Sequence, residues 1–255
     1  MSTLAFLSPS PSVLSRSSME RYAIDAGATM EERDGWNVAI AFPGEDGRRS
    51  TVGFADISHI GKIEIQAGAD ELAAIVADAT GGTLLHLGLA TRANGAWWCP
   101  YSATRAVVLC EPGDTAALRD RLTASATGAN GLASVVDTTT AQGAMTIVGP
   151  LAREVFARFT AIDLRPQVTP VRGWRPGSVA RTGGAVLCEA PDRYLMLFGS
   201  ALGQYMWTTV ADAAEHLGGG PIGVDALEPR DTPVVSSDGA GPEAAPNTPR
   251  SAPDA

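Results

Sequence analysis

Residues 36–42 (WNVAIAF) alternate between polar and apolar side chains with period two, the signature of a half-buried strand. The same reading predicts strands over 51–56 and 61–65. In the second, Lys62 and Glu64 share one face, and Ile63 and Ile65 share the other. Further strands are expected over 83–90, 96–101, 105–110, 133–138, 144–148, 186–189 and 193–198. The run 105–110 is almost wholly apolar, as suits a strand covered on both faces. The last two strands are expected to pair around Ala190-Pro191-Asp192. Helical spacing predicts helices over 19–28, 69–77, 114–124, 151–159 and 201–217. Ser17 or Ser18 is the expected N-cap of the first, Asp114 of the third. Pro150 suits the first turn of the fourth, and Gly218-Gly219-Gly220 ends the fifth.

Strands and helices interleaved in this order, with several hairpins, imply an α+β (mixed α/β) domain built on mixed sheet. Both ends differ from the middle. Residues 1–17 are rich in Ser and Pro and read as a flexible lead-in. Residues 231–255 contain almost no large apolar side chain after Val235. Such a stretch cannot bury enough surface to offset its ordering entropy, so a disordered acidic tail is expected there. One domain is therefore expected over 18–230.

Composition narrows the function classes. The chain of 255 residues is 45% hydrophobic and 18% charged, with a formal net charge of −9. No basic stripe is present, which argues against nucleic acid as a partner. Cys99, Cys110 and Cys188 are widely spaced, without the CxxC pattern of a zinc or redox site. They read as reduced, buried thiols, and no metal is expected. The apolar piece Leu4-Ala5-Phe6-Leu7 lacks a basic n-region and is interrupted by Pro9 and Pro11, so no signal peptide is read. No window reaches the roughly 20 apolar residues of a membrane span. A cytoplasmic protein is expected.

Four collinear stretches resemble the glycine-cleavage T-protein (aminomethyltransferase) family. Ser18-Met19-Glu20-Arg21-Tyr22, then Asp25-Ala26-Gly27-Ala28 and Asp34-Gly35-Trp36, are similar to the family's opening "SPL-x-E-R … GA … GW". The most specific stretch is Gly53-Phe54-Ala55-Asp56-Ile57-Ser58-His59-Ile60-Gly61-Lys62-Ile63-Glu64-Ile65, which resembles "GLxDxSHxGKxEVxG". Val148-Gly149-Pro150-Leu151-Ala152-Arg153-Glu154-Val155 is similar to "GPxAxxVL". Pro221-Ile222-Gly223-Val224-Asp225-Ala226-Leu227-Glu228 is similar to "PxGxxAxdxLRxE". Together they span roughly residues 18–228. The resemblance implies a T-protein/TrmE-like folate-binding fold without the family's C-terminal barrel domain. The gamma subunit of heterotetrameric sarcosine oxidase belongs to the same group.

The resemblance also implies a ligand, tetrahydrofolate, and a set of candidate residues. Glu189 could take the place of the family's pterin-recognising glutamate, because a carboxylate can accept two adjacent N–H donors and so fix a flat ring. A plain hairpin residue is the competing reading. His59 follows Ser58 in the segment 56–65, which is expected to wall a pterin-sized cavity; a turn histidine is the alternative. Trp98 and Tyr101 are candidates for contact with the ring, although adjacent strand residues face opposite ways, so only one of Trp97 and Trp98 can face a pocket. Arg181, with Arg105, Arg172 and Arg175, could attract a glutamyl carboxylate; solvated surface arginine is the alternative.

The family's acidic pair after a Gly-rich turn corresponds here to Asn94-Gly95-Ala96-Trp97-Trp98-Cys99-Pro100-Tyr101, which has no carboxylate. That removes the group expected to stabilise charge or relay a proton in one-carbon transfer. Two readings follow: a tetrahydrofolate-dependent aminomethyltransferase, or a non-catalytic accessory subunit of a sarcosine-oxidase-like flavoenzyme with a flavoprotein partner.

Overall fold

The computed structural model describes residues 13–128 and 131–227. In chain order the first elements are β1 (Ser15–Arg16), α1 (Glu20–Asp25), β2 (Thr29–Arg33), β3 (Trp36–Ala41), β4 (Gly53–Asp56), β5 (Gly61–Ala67) and α2 (Ala69–Thr80). Then come β6 (Thr91–Ala93), β7 (Ala96–Ser102), β8 (Arg105–Cys110), α3 (Thr115–Thr127), β9 (Ala133–Asp137), β10 (Gln142–Val148) and α4 (Ala152–Ala157). The last are β11 (Trp174–Val179), β12 (Thr182–Ala190), β13 (Arg193–Gly199), α5 (Gly203–Glu215) and β14 (Gly220–Pro221).

These strands form three sheets. A six-stranded sheet has the order β11-β12-β13-β10-β4-β14, and a five-stranded sheet the order β6-β7-β8-β5-β9. A small sheet, β1-β3-β2, lies to one side. Period-two alternation then sorts the side chains into three apolar layers. Ala55, Ala144, Ala185, Leu187, Leu195 and Leu197 of the larger sheet meet Trp97, Cys99, Val107 and Leu109 of the five-stranded one. The other face of the larger sheet packs on α1, α4 and α5 through residues such as Phe54, Met196, Phe156 and Trp207. The other face of the five-stranded sheet packs Ile63, Ile65, Trp98 and Val108 on Leu72, Ile75, Leu118 and Leu122 of α2 and α3. The molecule is thus a helix–sheet–sheet–helix stack of α+β class, as the alternation predicts.

Several local expectations are corrected. The predicted strand over 83–90 is an irregular loop, joined to the sheets by a single bridge from Leu89 to Gly173 and by hydrogen bonds of Gly88 and Ala90 to the segment 172–175. Gly81, Gly82 and Gly88 all adopt positive φ, which interrupts extension, and the edge of the five-stranded sheet is taken by β6. The first helix ends at Asp25, and Gly27 at φ +86° turns the chain into β2, a strand not predicted. Strand β11 was also not predicted. Asp114 stands at the start of α3 without a side-chain capping bond, because a 3-10 turn over Pro112–Asp114 already feeds helical backbone into it. Ser17 does accept the Met19 N–H at 3.1 Å. Within the expected lead-in, Ser15–Arg16 forms β1 beside β3; residues 1–12 and the expected tail over 231–255 lie outside the described residues.

Candidate functional site

The segment that carries the most specific motif is the passage from one sheet to the other. Chain leaving β4 must turn and enter β5, and its polar groups close that turn. Asp56 Oδ1 accepts the Ser58 N–H at 2.9 Å. Ser58 Oγ accepts the Ala144 N–H at 3.1 Å, tying the turn to β10. Lys62 is fully buried, and its Nζ donates to Ser58 O at 2.9 Å and to Ile60 O at 2.8 Å. A buried ammonium is tolerable only with such partners. Burial pushes the Asp56 carboxyl above the usual aspartate range, while hydrogen bonds from Ser17 and Ser58 and the charge of Lys62 pull the other way.

His59 of this turn borders a cavity with Ser17, Glu20, Asn37, Asp56 and Ser58. Its volume is about 10 Å³, room for about one water, whereas ligand pockets run to about 300–1,000 Å³. A pterin does not fit this cavity. The motif here holds two sheets together.

A different polar constellation lies in the layer between the two large sheets. Leu187 of β12 points into that layer, and Glu189, two residues on, follows it beside the irregularity between Cys188 and Ala190. The Glu189 side chain is 6% exposed, and its Oε2 accepts a bond from Arg193 Nε at 3.1 Å. Its Oε1 is buried without a hydrogen-bond partner. The indole Nε1 atoms of Trp97 and Trp174, both in the same layer, are likewise buried and unpartnered. Buried polar atoms normally find partners, so three in one layer, one acceptor and two donors, ask for an explanation.

Tyr101 packs at the edge of this layer, its ring edge-on to Trp174 with centroids 5.4 Å apart. The Arg105 guanidinium lies 4.7 Å from the Tyr101 ring centroid and donates twice to Glu64, at 2.9 and 2.7 Å. Those bonds hold the Glu64 carboxyl below the usual range. Burial raises the Cys99 thiol well above its ordinary value, and the charge of Glu189 adds to the shift. Burial likewise raises the Tyr101 phenol. Neither group is available as a proton acceptor at neutral pH.

The fold therefore brings Glu189 and Tyr101 into one layer and separates the other sequence-predicted residues. Trp98 faces the opposite side of β7, inside the core against α2 and α3, with its Nε1 donating to Ala93 O at 3.2 Å. Trp97 takes the inward place. Arg181 is exposed at φ +63° in the two-residue turn between β11 and β12, and His59 stands at the other passage. Arg172 and Arg175 bond backbone carbonyls. Trp174 and Arg193 were not singled out from sequence; the period-two phase of β7 did indicate that one tryptophan of its pair must face inward. Among the described residues no group of three or more His, Cys, Asp or Glu side chains is placed to hold a metal ion. No described helix is long and apolar enough to cross a membrane.

No protein-family model matches the sequence, and no curated protein matches it. Solved structures do. A chain of the heterotetrameric sarcosine oxidase from Corynebacterium sp. U-96 is 17% identical with a TM-score of 0.63, over 84% of this chain and 98% of that one. The glycine cleavage system aminomethyltransferase T from Bartonella henselae is 17% identical with a TM-score of 0.66, over 86% of this chain and 61% of that one. The chain thus spans about three-fifths of the Bartonella protein. What these likenesses establish is architecture: the chain has the fold of aminomethyltransferase T and of the matching sarcosine oxidase chain.

Proposed function

We propose that this chain is a T-protein-like module serving as a non-catalytic subunit of a sarcosine-oxidase-like flavoenzyme. One observation carries the reading. Strand β7, where the family resemblance expects an acidic pair, delivers Trp97, Cys99 and Tyr101 to the inter-sheet layer and no carboxylate. The thiol and phenol that stand there are held protonated by burial, so proton relay during one-carbon transfer has no agent on that strand. The likeness over 98% of one chain of a heterotetrameric oxidase supports the same reading.

The test is co-expression with the flavin-dependent amine oxidase of the source organism, followed by size-exclusion chromatography and an assay of tetrahydrofolate-dependent aminomethyl transfer. A co-eluting complex, and no transfer by the isolated chain, is expected. Transfer catalysed by the isolated chain would overturn the proposal.

A second reading, tetrahydrofolate binding, is favoured by Glu189 Oε1. A buried carboxylate oxygen without a donor is what an N–H-rich pterin edge would satisfy, and the unpartnered indole donors of Trp97 and Trp174 share its layer. A ligand that binds the native state raises its melting temperature. Tetrahydrofolate at millimolar concentration should do so for the wild type and not for Glu189→Leu. No shift for the wild type removes this reading and leaves the subunit reading intact.

A further inference from the structure

The loop over residues 83–89 carries four leucines in seven residues, yet it joins no strand. Leu85 turns inward and packs on the core between the five-stranded sheet and α2 and α3. Leu84 and Leu87 turn outward and are 64% and 65% exposed. A single guanidinium fixes what lies beside them: Arg175 donates to Gly88 O at 2.6 Å and also to Val168 O. Val168, 39% exposed, therefore sits next to the leucine loop although about eighty residues separate the two. Further bonds lace the two segments. Trp174 N–H donates to Gly88 O at 3.0 Å, and Ala90 N–H donates to Arg172 O at 2.7 Å. The outward leucines are thus presented on a tied surface.

The charge of this surface opposes that of the chain. Residues 83–92 and 165–175 hold four arginines and no Asp or Glu, in a protein of net charge −9. Asp163 answers Arg165. Arg172 and Arg175 bond carbonyl oxygens, which leaves their positive charge without a carboxylate among those bonds. An apolar centre with an arginine rim is the composition of a protein-docking surface, where apolar anchors supply affinity and rim charges supply steering.

We infer that Leu84, Leu87 and Val168, rimmed by Arg172 and Arg175, form the surface that docks the flavoprotein partner, on an apolar face of that partner rimmed by carboxylates. The inference rests on the subunit reading and adds to it where the partner sits and what chemistry it presents. A few side chains desolvated at the centre of an interface carry most of its binding energy, and arginines at its rim meet acidic partners with salt-sensitive attraction.

The experiment measures the dissociation constant between this chain and the co-expressed, separately purified flavin amine oxidase by calorimetry. The Leu84→Ser/Leu87→Ser variant should keep the wild-type melting temperature, because both side chains are exposed, and bind at least tenfold more weakly. Leu132→Ser, which removes a still more exposed leucine (93%) beside Gln66, Ser102 and Ser134, in a different surface region, should bind like the wild type. Wild-type binding should weaken several-fold between about 50 mM and 500 mM salt. Unchanged affinity in the double variant would overturn the docking surface while leaving the subunit reading standing. A wild-type homodimer that the double variant converts to monomer would assign the surface to a second copy instead. Absence of any wild-type complex would remove the subunit reading itself.

Discussion

Glu189 and Arg193 face each other across the turn Ala190-Pro191-Asp192, carboxylate to guanidinium at 3.1 Å, with side chains only 6% and 12% exposed. An ion pair so placed is weak evidence of net stability, because both charges gave up water. Breaking it is another matter. With Arg193 gone, Glu189 would hold a charge in the inter-sheet layer with neither oxygen answered by that guanidinium.

Arg193→Met should therefore lower unfolding stability by about 3–5 kcal/mol, read from urea denaturation at pH 7. Adding Glu189→Leu to the same chain should restore most of the loss, since two apolar side chains would then fill the layer. A double variant as unstable as the single one would show that the cost lies in packing around Arg193 and not in the orphaned charge.

Asp56 gives the stability of the chain a pH-dependent component whose sign follows from its environment. Burial raises its folded-state value above the unfolded one, so the native state binds the proton more tightly. This contribution is fully present below the unfolded value, about pH 4, and is lost as pH rises through the folded one. Relative to Asp56→Asn, which does not titrate, the wild type should lose stability between pH 4 and pH 7. Urea midpoints of both proteins across that range supply the measurement, and their difference cancels groups shifted the other way, such as Glu64. A difference that stays flat, or moves in favour of the wild type as pH rises, would contradict the assignment.

Gly149, in the third family-like stretch, has φ +116°, and a Cβ built on it would lie 2.6 Å from Thr51 O. Its N–H donates to Asp192 O at 2.8 Å, so the backbone cannot move off without losing a bond. Strain and contact act together here. Gly149→Ala should cost about 2 kcal/mol or more, whereas Gly183→Ala, at a negative φ with nothing within 4 Å, should be close to neutral. Thermal melts of the two variants would distinguish them, and equal melting temperatures would refute the contact.

Much of the fold was legible because alternation is a local property. The phase of Ile63 and Ile65 against Lys62 and Glu64 held, and the pair Trp97 and Trp98 faces opposite ways as a strand requires. The hairpin around Ala190-Pro191-Asp192 formed where predicted. Of the missed strands β2 and β11, one had a local signal and one did not. Strands β2 and β3 join through Asp34 and Gly35, both at positive φ, a dipeptide that marks such turns. The corresponding turn between β11 and β12 is Ala180-Arg181, whose side chains give no hint of positive φ.

By itself the sequence determined the α+β class, the placement of most strands, and which residues of a strand share a face, since these depend on neighbours two to four positions away. Only the tertiary structure decided which face looks inward to which layer. It buried Glu189 against Arg193 and left one oxygen unanswered, put Trp97 instead of Trp98 into the layer that holds Trp174, and left the leucines of 83–89 outside a sheet whose edge another strand had taken. Those outcomes depend on which sheets pack face to face and which segments compete for an edge, as in the bond from Trp174 N–H to Gly88 O across the chain, and no local pattern carries that information.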